Sequence, residues 1–199
     1  MAWIKTISPD DATGPLAETY RQVAGRDGHV DHILQSHSMR PRTLDAHLAL
    51  YKAVLHSRPN DLSPRERELV GVCVSRLNGC EYCVVHHTAG LARHLKDTAL
   101  AEQLAAAAVA DKPREPLSPK EWALCRYARR LTESPAEMCE NDIAELRAAG
   151  LSDEAILDLN QIVAYFAYAN RTVLGLGVSH TGEPLGLHPD ENRTDFRHS

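Results

Sequence analysis

Apolar residues in this chain recur every three or four positions, which is the spacing of one face of an α-helix. Between Pro41 and Pro59 the pattern is carried by Leu44, Leu48, Tyr51 and Leu55. It predicts further helices at residues 69–77, 81–94, 98–110, 120–132, 136–149 and 153–175. One or two short helices are expected in residues 1–40. Because no segment alternates apolar and polar residues in the manner of a strand, the predicted fold class is all-α.

Three serine-proline pairs mark the starts of predicted helices. At Ser63, Ser118 and Ser134 the serine precedes a proline, and a glutamate follows two residues after that proline. Serine at the N-cap, proline at the first helical position and glutamate in the first turn together form a capping box. These sites support the all-α assignment with a signal that does not depend on hydrophobic periodicity.

A faint internal repeat aligns residues 62–74 with residues 151–163. The alignment suggests a duplicated helical hairpin, of which only the first copy kept Cys80, Cys83 and His87. The tail that follows is rich in Pro, Gly and polar residues.

We therefore expect a single helical domain over residues 1–181 and an irregular C-terminal tail over residues 182–199.

Composition narrows the classes of function. The 199 residues include 22 Lys and Arg and 27 Asp and Glu, a formal net charge of −5. This balance argues against nucleic acid or an anionic membrane as a partner. The first ten residues lack the apolar stretch of a signal peptide, and no window approaches the roughly 18 apolar residues of a membrane span. A cytoplasmic protein is expected, in a compartment where persistent disulfides are rare.

The candidate chemistry lies between Glu68 and His87. Asn78-Gly79 should end one helix, so that Cys80 lies at the mouth of the next helix and Cys83 in its first turn. Unpaired amides at a helix start stabilise a thiolate and lower the pKa of the thiol. Two cysteines at this spacing can also close a disulfide. His87 lies one turn beyond Cys83 on the same helix face, where it could hold or transfer a proton.

Glu68 lies on the preceding helix, opposite the apolar stripe, where solvent is the usual neighbour. The same face carries Gly71, Val72 and Ser75. These small residues would let a second helix pack closely and leave Glu68 half-buried, close to the thiols.

The Cys80–Cys83 pair has three interpretations. It could be a redox dithiol, half of a zinc site, or a simple buried pair. A zinc site would need further ligands, for which the candidates are His86, His94, Cys73 and Glu68. The chain has no second Cys-x-x-Cys to complete a zinc ribbon. The dithiol is therefore the favoured interpretation, with His86 as a second choice of proton relay.

The chain has five cysteines, so they cannot all pair within one chain. Cys73, Cys125 and Cys139 have no partner motif and are expected to be buried hydrophobic residues. Tyr165 and Phe166, with the nearby Tyr168, should contribute to the core or a subunit interface, or else to the wall of a substrate pocket.

The spacing Glu68, eleven residues, Cys80-x-x-Cys83-x-x-x-His87 resembles the signature of AhpD-like alkylhydroperoxidases in the carboxymuconolactone decarboxylase superfamily. The helix order matches as well, so the resemblance covers roughly residues 44–177. The chain length and the stretch at residues 182–189 are similar to those of the subgroup called peroxidase-related enzymes.

This resemblance implies an all-α fold and a homo-oligomer, commonly a trimer or hexamer. It implies reduction of a small-molecule peroxide with Cys83 as the peroxidatic and Cys80 as the resolving cysteine. Glu68 and His87 would form the proton relay that activates Cys83. No cofactor or metal is implied, and an external dithiol or protein reductant would restore the thiols.

One departure from the family pattern concerns Tyr82, which stands where the best-known members carry a histidine. The relay could therefore be shorter and the peroxidase activity low. The decarboxylase branch generally lacks the cysteine pair, which argues against lactone decarboxylation. Two alternatives stay open: another thiol-disulfide or decarboxylase-like enzyme acting on a small metabolite, and a non-enzymatic redox sensor or zinc-binding protein.

Overall fold

The computed structural model describes residues 2–25, 28–56 and 58–185. Within these ranges the chain is helical and contains no strand, which confirms the all-α prediction. The helices are α1 (Gly14–Val23), α2 (His32–Ser36), α3 (Pro41–Leu55), α4 (Pro64–Leu77), α5 (Glu81–Leu95), α6 (Thr98–Ala107), α7 (Pro119–Glu133), α8 (Glu140–Ala148) and α9 (Asp153–Leu176). Among them, none is both long and apolar enough to cross a membrane.

Two of the predicted capping boxes are confirmed. At the start of α4 the Ser63 hydroxyl accepts the Glu66 N–H, and the Glu66 carboxylate accepts the Ser63 N–H at 2.8 Å. Ser118 and Glu121 make the same reciprocal pair at the start of α7. Each pair satisfies amide groups that have no partner inside the helix.

The third predicted box, at Ser134, is wrong. Ser134 instead ends α7, where its N–H donates to the Arg130 carbonyl, and residues Pro135–Glu137 form only one 3₁₀ turn. Met138 is extended, and α8 begins at Glu140. The Cys139 N–H donates to the Asp142 carboxylate at 2.8 Å. The N-cap residue of a helix has an extended backbone, and the first N–H groups of the helix find their partners there. In α8 that residue is Cys139 and not Ser134.

Helix α4 lies at the centre of the molecule and packs against α5, α7 and α9. Its residues from Glu66 to Ser75 are all buried. At Gly71 a Cβ would lie 2.3 Å from Cζ of Phe166, far inside van der Waals contact. The absence of a side chain at Gly71 thus lets Phe166 of α9 reach the α4 backbone, as the small-residue face predicts.

The duplicated hairpin suggested by the internal repeat is not found. Helix α9 runs without a break from Asp153 to Leu176, across the residues that align with the α4–α5 turn. The α4–α5 hairpin turns at Gly79, whose φ of 67° is readily adopted by glycine. The aligned residue in α9 is Tyr168, which continues the helix.

The three cysteines outside the pair differ in burial, although the sequence predicts all three to be buried. Cys73 and Cys125 are buried, and the Cys73 thiol donates to the Ala108 carbonyl at 3.3 Å. Cys139 is exposed because it is the N-cap residue of α8 and not part of a helix face. The prediction that Cys139 is buried is therefore wrong.

The N-terminal helices cover one end of α9. Helix α1 packs on α3, while α2 and α3 both contact α9. A separate apolar cluster fills the space between these helices, formed by Leu16, Tyr20, Val23, Val30, Leu34, Leu44 and Leu48. Of the predicted tail, residues 186–199 lie outside the described residues, while Glu183 is buried against the helical domain.

Candidate active site

The α4–α5 turn brings the two cysteines to the start of α5. Gly79 reverses the chain, and the Cys80 N–H donates back to the Ser75 carbonyl at 2.9 Å. Cys80 is the N-cap residue of α5, and Cys83 lies in its first turn. Both are free thiols, and both are buried. The two cysteines therefore lie at the start of α5, where the sequence predicts them.

The two thiols differ in acidity. The pKa of Cys80 is lowered from its usual 9.0, first because the Cys83 thiol donates to it, against the opposing effect of burial. The Cys83 backbone N–H and the charge of His87 lower it further. The pKa of Cys83 is raised well above 9.0, first by sharing its proton with Cys80 and then by burial. Of the two thiols, Cys80 therefore has the lower pKa, while the family resemblance assigns the activated thiol to Cys83.

Asn170 of α9 completes the surroundings of the sulfurs and was missed in the sequence. It is fully buried, donates to the Ser75 hydroxyl at 3.1 Å and accepts from the Asn78 amide at 2.9 Å. Its hydrogen bonding also lowers the pKa of both cysteines. The sequence did offer one signal: Asn170 is an amide on the apolar face of α9, between Phe166 and Val173. A polar side chain buried in this way requires hydrogen-bond partners.

Glu68 and His87 are joined across the α4–α5 hairpin. The Glu68 Oε2 lies 2.7 Å from the His87 Nδ1, with side chains 4% and 12% exposed. Phe166 meets the His87 ring edge to face, with the ring centroids 4.6 Å apart. Glu68 is therefore buried rather than half-buried.

A cavity of about 50 Å³ opens beside the pair. Cys83 and His87 line it, together with apolar and aromatic side chains that include Ile33, Leu48, Tyr165 and Phe166. Glu68 lies behind His87 and Cys80 lies behind Cys83, since neither lines the cavity. Tyr165 and Phe166 thus belong to the core and also form the pocket wall, whereas Tyr168 is exposed.

Tyr82, the residue that departs from the family pattern, packs in one cluster with Cys80 and Cys83, but its hydroxyl bonds to other groups. Its ring stacks on His86 with centroids 4.5 Å apart, and its hydroxyl accepts the Ile33 N–H at 3.2 Å. That hydroxyl also donates to Glu183. Burial raises the pKa of Tyr82 well above 10.0, so the phenol stays neutral. Tyr82 fixes the position of α2 and the tail.

His86, the second choice of proton relay, is bonded to the tail. Its Nε2 lies 2.8 Å from Oε1 of Glu183, and its side chain also lines the cavity. Within the described ranges, the one group of three donors spaced to share a metal ion includes neither Cys80 nor Cys83. Of the remaining zinc-ligand candidates, His94 is exposed. The geometry therefore favours the dithiol over the zinc interpretation.

Comparisons with known proteins agree with this arrangement. The model of the carboxymuconolactone decarboxylase family matches residues 41–130, which include Glu68, both cysteines of the pair and His87. The chain is similar to the crystal structure of an alkylhydroperoxidase AhpD core, an uncharacterized peroxidase-related protein from Ralstonia eutropha JMP134. The TM-score is 0.79 and the identity 26%, covering 89% of this chain and 91% of that one.

Two further solved structures share the architecture. An uncharacterized peroxidase-related protein from Silicibacter sp. TM1040 has a TM-score of 0.69 and 28% identity, over 78% of this chain and 81% of that one. The debrominase Bmp8 has a TM-score of 0.69 over 87% of this chain and 89% of that one, but at 19% identity it shares the fold alone. No curated protein sequence matches the chain.

Proposed function

Because this chain belongs to the AhpD/carboxymuconolactone decarboxylase superfamily, we propose that it is a thiol-dependent peroxidase that reduces organic hydroperoxides. One observation carries the proposal. Cys83 and His87 line the same cavity, with Cys80 behind the first and Glu68 behind the second. A nucleophile, a resolving thiol and an oriented proton carrier therefore surround one small apolar space.

The first step is proton redistribution within the dithiol. In the singly ionised pair the proton lies on Cys83 and the charge on Cys80, because the Cys83 thiol and N–H both donate to the Cys80 sulfur. Cys83 becomes the nucleophile when that proton passes to Cys80 or to His87. The imidazole is suited to this exchange because Glu68 fixes its orientation.

The second step is attack on the peroxide. The Cys83 thiolate bonds to the terminal oxygen of ROOH, the O–O bond breaks, and its electron pair leaves with RO⁻. RO⁻ takes up the transferred proton and departs as the alcohol, which leaves Cys83 as a sulfenic acid. Cys80, again deprotonated, then attacks the Cys83 sulfur. A disulfide forms and the S–O bond breaks. The departing hydroxide takes a proton from solvent and leaves as water.

The oxidised pair needs an electron donor. An external dithiol or protein thiol would restore Cys80 and Cys83 by exchange, and no organic cofactor or metal takes part in these steps. A trimer or hexamer is proposed in line with the family resemblance.

The pocket wall supports an organic substrate. Leucine, isoleucine and aromatic side chains form most of the lining. Burial raises the pKa of Tyr51 and Tyr165 well above 10.0, so both phenols are neutral there. An apolar wall stabilises the alkyl or aryl group of a hydroperoxide more than it stabilises hydrogen peroxide.

The test is steady-state consumption of cumene or tert-butyl hydroperoxide with a dithiol reductant. We expect Cys83→Ser to lose at least about 100-fold in turnover. Mixed with peroxide before any reductant is added, Cys80→Ser should stop at a Cys83 sulfenic acid. Cys139→Ser, which removes an exposed thiol on another helix, is the matched control. Full turnover by Cys83→Ser contradicts the proposal. Dithiol exchange without peroxide consumption would instead indicate a thiol-disulfide enzyme.

A further inference from the structure

A second cluster of titratable groups lies apart from the cysteine pair, where the C-terminal tail meets the loop before α2. Glu183, whose side chain is 0% exposed, extends into a group of imidazoles from His29, His32 and His86. Asp31 adds a second carboxylate. The proposed peroxidase chemistry uses none of these groups.

The Glu183 carboxylate is held firmly by its neighbours. Its Oε1 lies 2.8 Å from His86 Nε2, and its Oε2 accepts the His32 backbone N–H at 2.8 Å. The same Oε2 lies 3.6 Å from His29 Nε2. One oxygen is thus oriented by His86, and the other faces His29.

Asp31 closes the group from the other side. Its side chain is 12% exposed, and its Oδ1 lies 3.8 Å from His29 Nε2. This oxygen is buried, and among the described residues no donor gives it a hydrogen bond. Asp31 and Glu183 thus place two largely buried carboxylates near the same imidazole. A cation between the two carboxylates would relieve both the burial cost and the repulsion.

We propose that His29 Nε2, Asp31 Oδ1 and Glu183 Oε2 bind one divalent transition-metal ion, with Zn²⁺ the best match. The three donor atoms all lie within 4.8 Å of one another. Two ligands of a tetrahedral zinc ion stand roughly 3.3 Å apart when the bonds are about 2.0–2.1 Å long. The 3.6 Å and 3.8 Å separations at His29 therefore need only a small inward shift.

The donor types select the class of metal. One imidazole and two carboxylates suit Zn²⁺ and similar first-row ions, whereas Mg²⁺ and Ca²⁺ prefer oxygen ligands alone. Ligating carboxylates are commonly hydrogen-bonded to residues behind them, and His86 provides this support to Glu183.

The ion has a structural consequence. It ties the tail at Glu183 to the loop at His29 and Asp31, across 151 residues of sequence or more. Asp31 also lines the pocket, so the metal fixes one part of its wall. We assign the ion this anchoring role and no part in electron transfer.

The test uses Co²⁺ and Zn²⁺ as probes on chelator-treated, reduced protein. We expect one equivalent of Co²⁺ per chain, with visible d–d absorption and no sulfur-to-cobalt charge-transfer band. Asp31→Asn and His29→Gln should each weaken binding at least about tenfold. Zn²⁺ should raise the melting temperature of the wild type but not that of these variants.

Two controls separate this site from others. His94→Gln removes an exposed histidine of α5 and should bind as the wild type does. The double variant Cys80→Ser/Cys83→Ser should also bind normally, which keeps the result independent of peroxide turnover. If Asp31→Asn does not fold, His29→Gln still decides, because His29 lies in a partly exposed loop. No stoichiometric binding, unchanged affinity in both ligand variants, or loss in the cysteine variant overturns the proposal.

Discussion

A hydrogen bond of 2.7 Å joins Oε2 of Glu68 to Nδ1 of His87 and links α4 to α5 beside the cysteine pair. A buried carboxylate next to an imidazole fixes the tautomer and orientation of the ring, and it stabilises the imidazolium that forms during proton transfer. Since His87 lines the pocket and Glu68 does not, we infer that Glu68 acts through His87 as a positioning residue.

Replacing Glu68 tests this arrangement. Glu68→Gln keeps the size of the side chain but removes its charge, so hydroperoxide turnover should fall by about 10²-fold or more. The pH dependence of turnover should also shift, which a purely structural change would not produce. Stopped-flow consumption of cumene hydroperoxide measures both.

The matched control is Glu66→Gln on the same helix. Glu66 is also buried, but it bonds to Ser63 and Lys120 at the start of α4. Glutamine can replace glutamate in a capping box, so turnover should be unchanged. Equal losses in both variants would mean that Glu68 acts only through stability.

The acidities of the two thiols predict a pH dependence. Because the pKa of Cys80 is lowered and that of Cys83 is raised, one thiolate should form below pH 9.0 and the other well above it. Ultraviolet thiolate absorbance, followed during a pH titration in a Cys139→Ser background, measures this. The early thiolate should persist in Cys83→Ser and vanish in Cys80→Ser. The reverse outcome would assign the lower pKa to Cys83.

Asn170 should affect both stability and thiol acidity. Asn170→Ala leaves the Ser75 hydroxyl and the Asn78 amide without their buried partner, which should cost about 1–3 kcal/mol of unfolding free energy. It should also raise the pKa of Cys80, because a donor near the sulfur is lost. Urea unfolding and the thiolate titration report these two effects separately.

Asn160→Ala provides the comparison for Asn170. Asn160 also lies on α9 and donates to the Tyr127 hydroxyl at 2.9 Å, away from the sulfurs. This change should lower stability without altering the thiolate titration. A shift of the thiolate titration in Asn160→Ala would show that the effect is not local.

Much of the fold follows from local signals in the sequence. Ser63 and Ser118 start helices because their capping boxes involve residues only three positions apart. Ser134 has the same local sequence, but it is already used to end α7. Local patterns therefore predict that a cap can form, and the neighbouring helix decides whether it does.

The site is predicted less completely because its contacts are long-range. Glu68, Cys80, Cys83 and His87 lie in one hairpin, and their spacing could be read directly. Asn170 reaches the sulfurs from α9, whereas Glu183 reaches the neighbouring His86 from the tail, across 97 residues of sequence. Nothing in the sequence near these two residues indicates which groups they meet.

Close packing of α9 on α4 should depend on Gly71. A Cβ at this position would lie 2.3 Å from Cζ of Phe166, so Gly71→Ala should cost about 1–3 kcal/mol of unfolding free energy. Turnover should fall as well, because Phe166 contacts His87. Gly175→Ala on α9 is the control, since no atom lies within 4 Å of the added Cβ and no loss is expected. Equal stability of the two variants would contradict this packing.

The most direct test of the proposed function is the stoichiometry of a single turnover. Reduced protein is mixed with one equivalent of cumene hydroperoxide without added reductant, and alcohol and free thiols are counted. We expect one equivalent of cumyl alcohol and the loss of two of the five thiols, found by mass spectrometry as a Cys80–Cys83 disulfide. Unconsumed hydroperoxide, or alcohol formed with all five thiols intact, would contradict it.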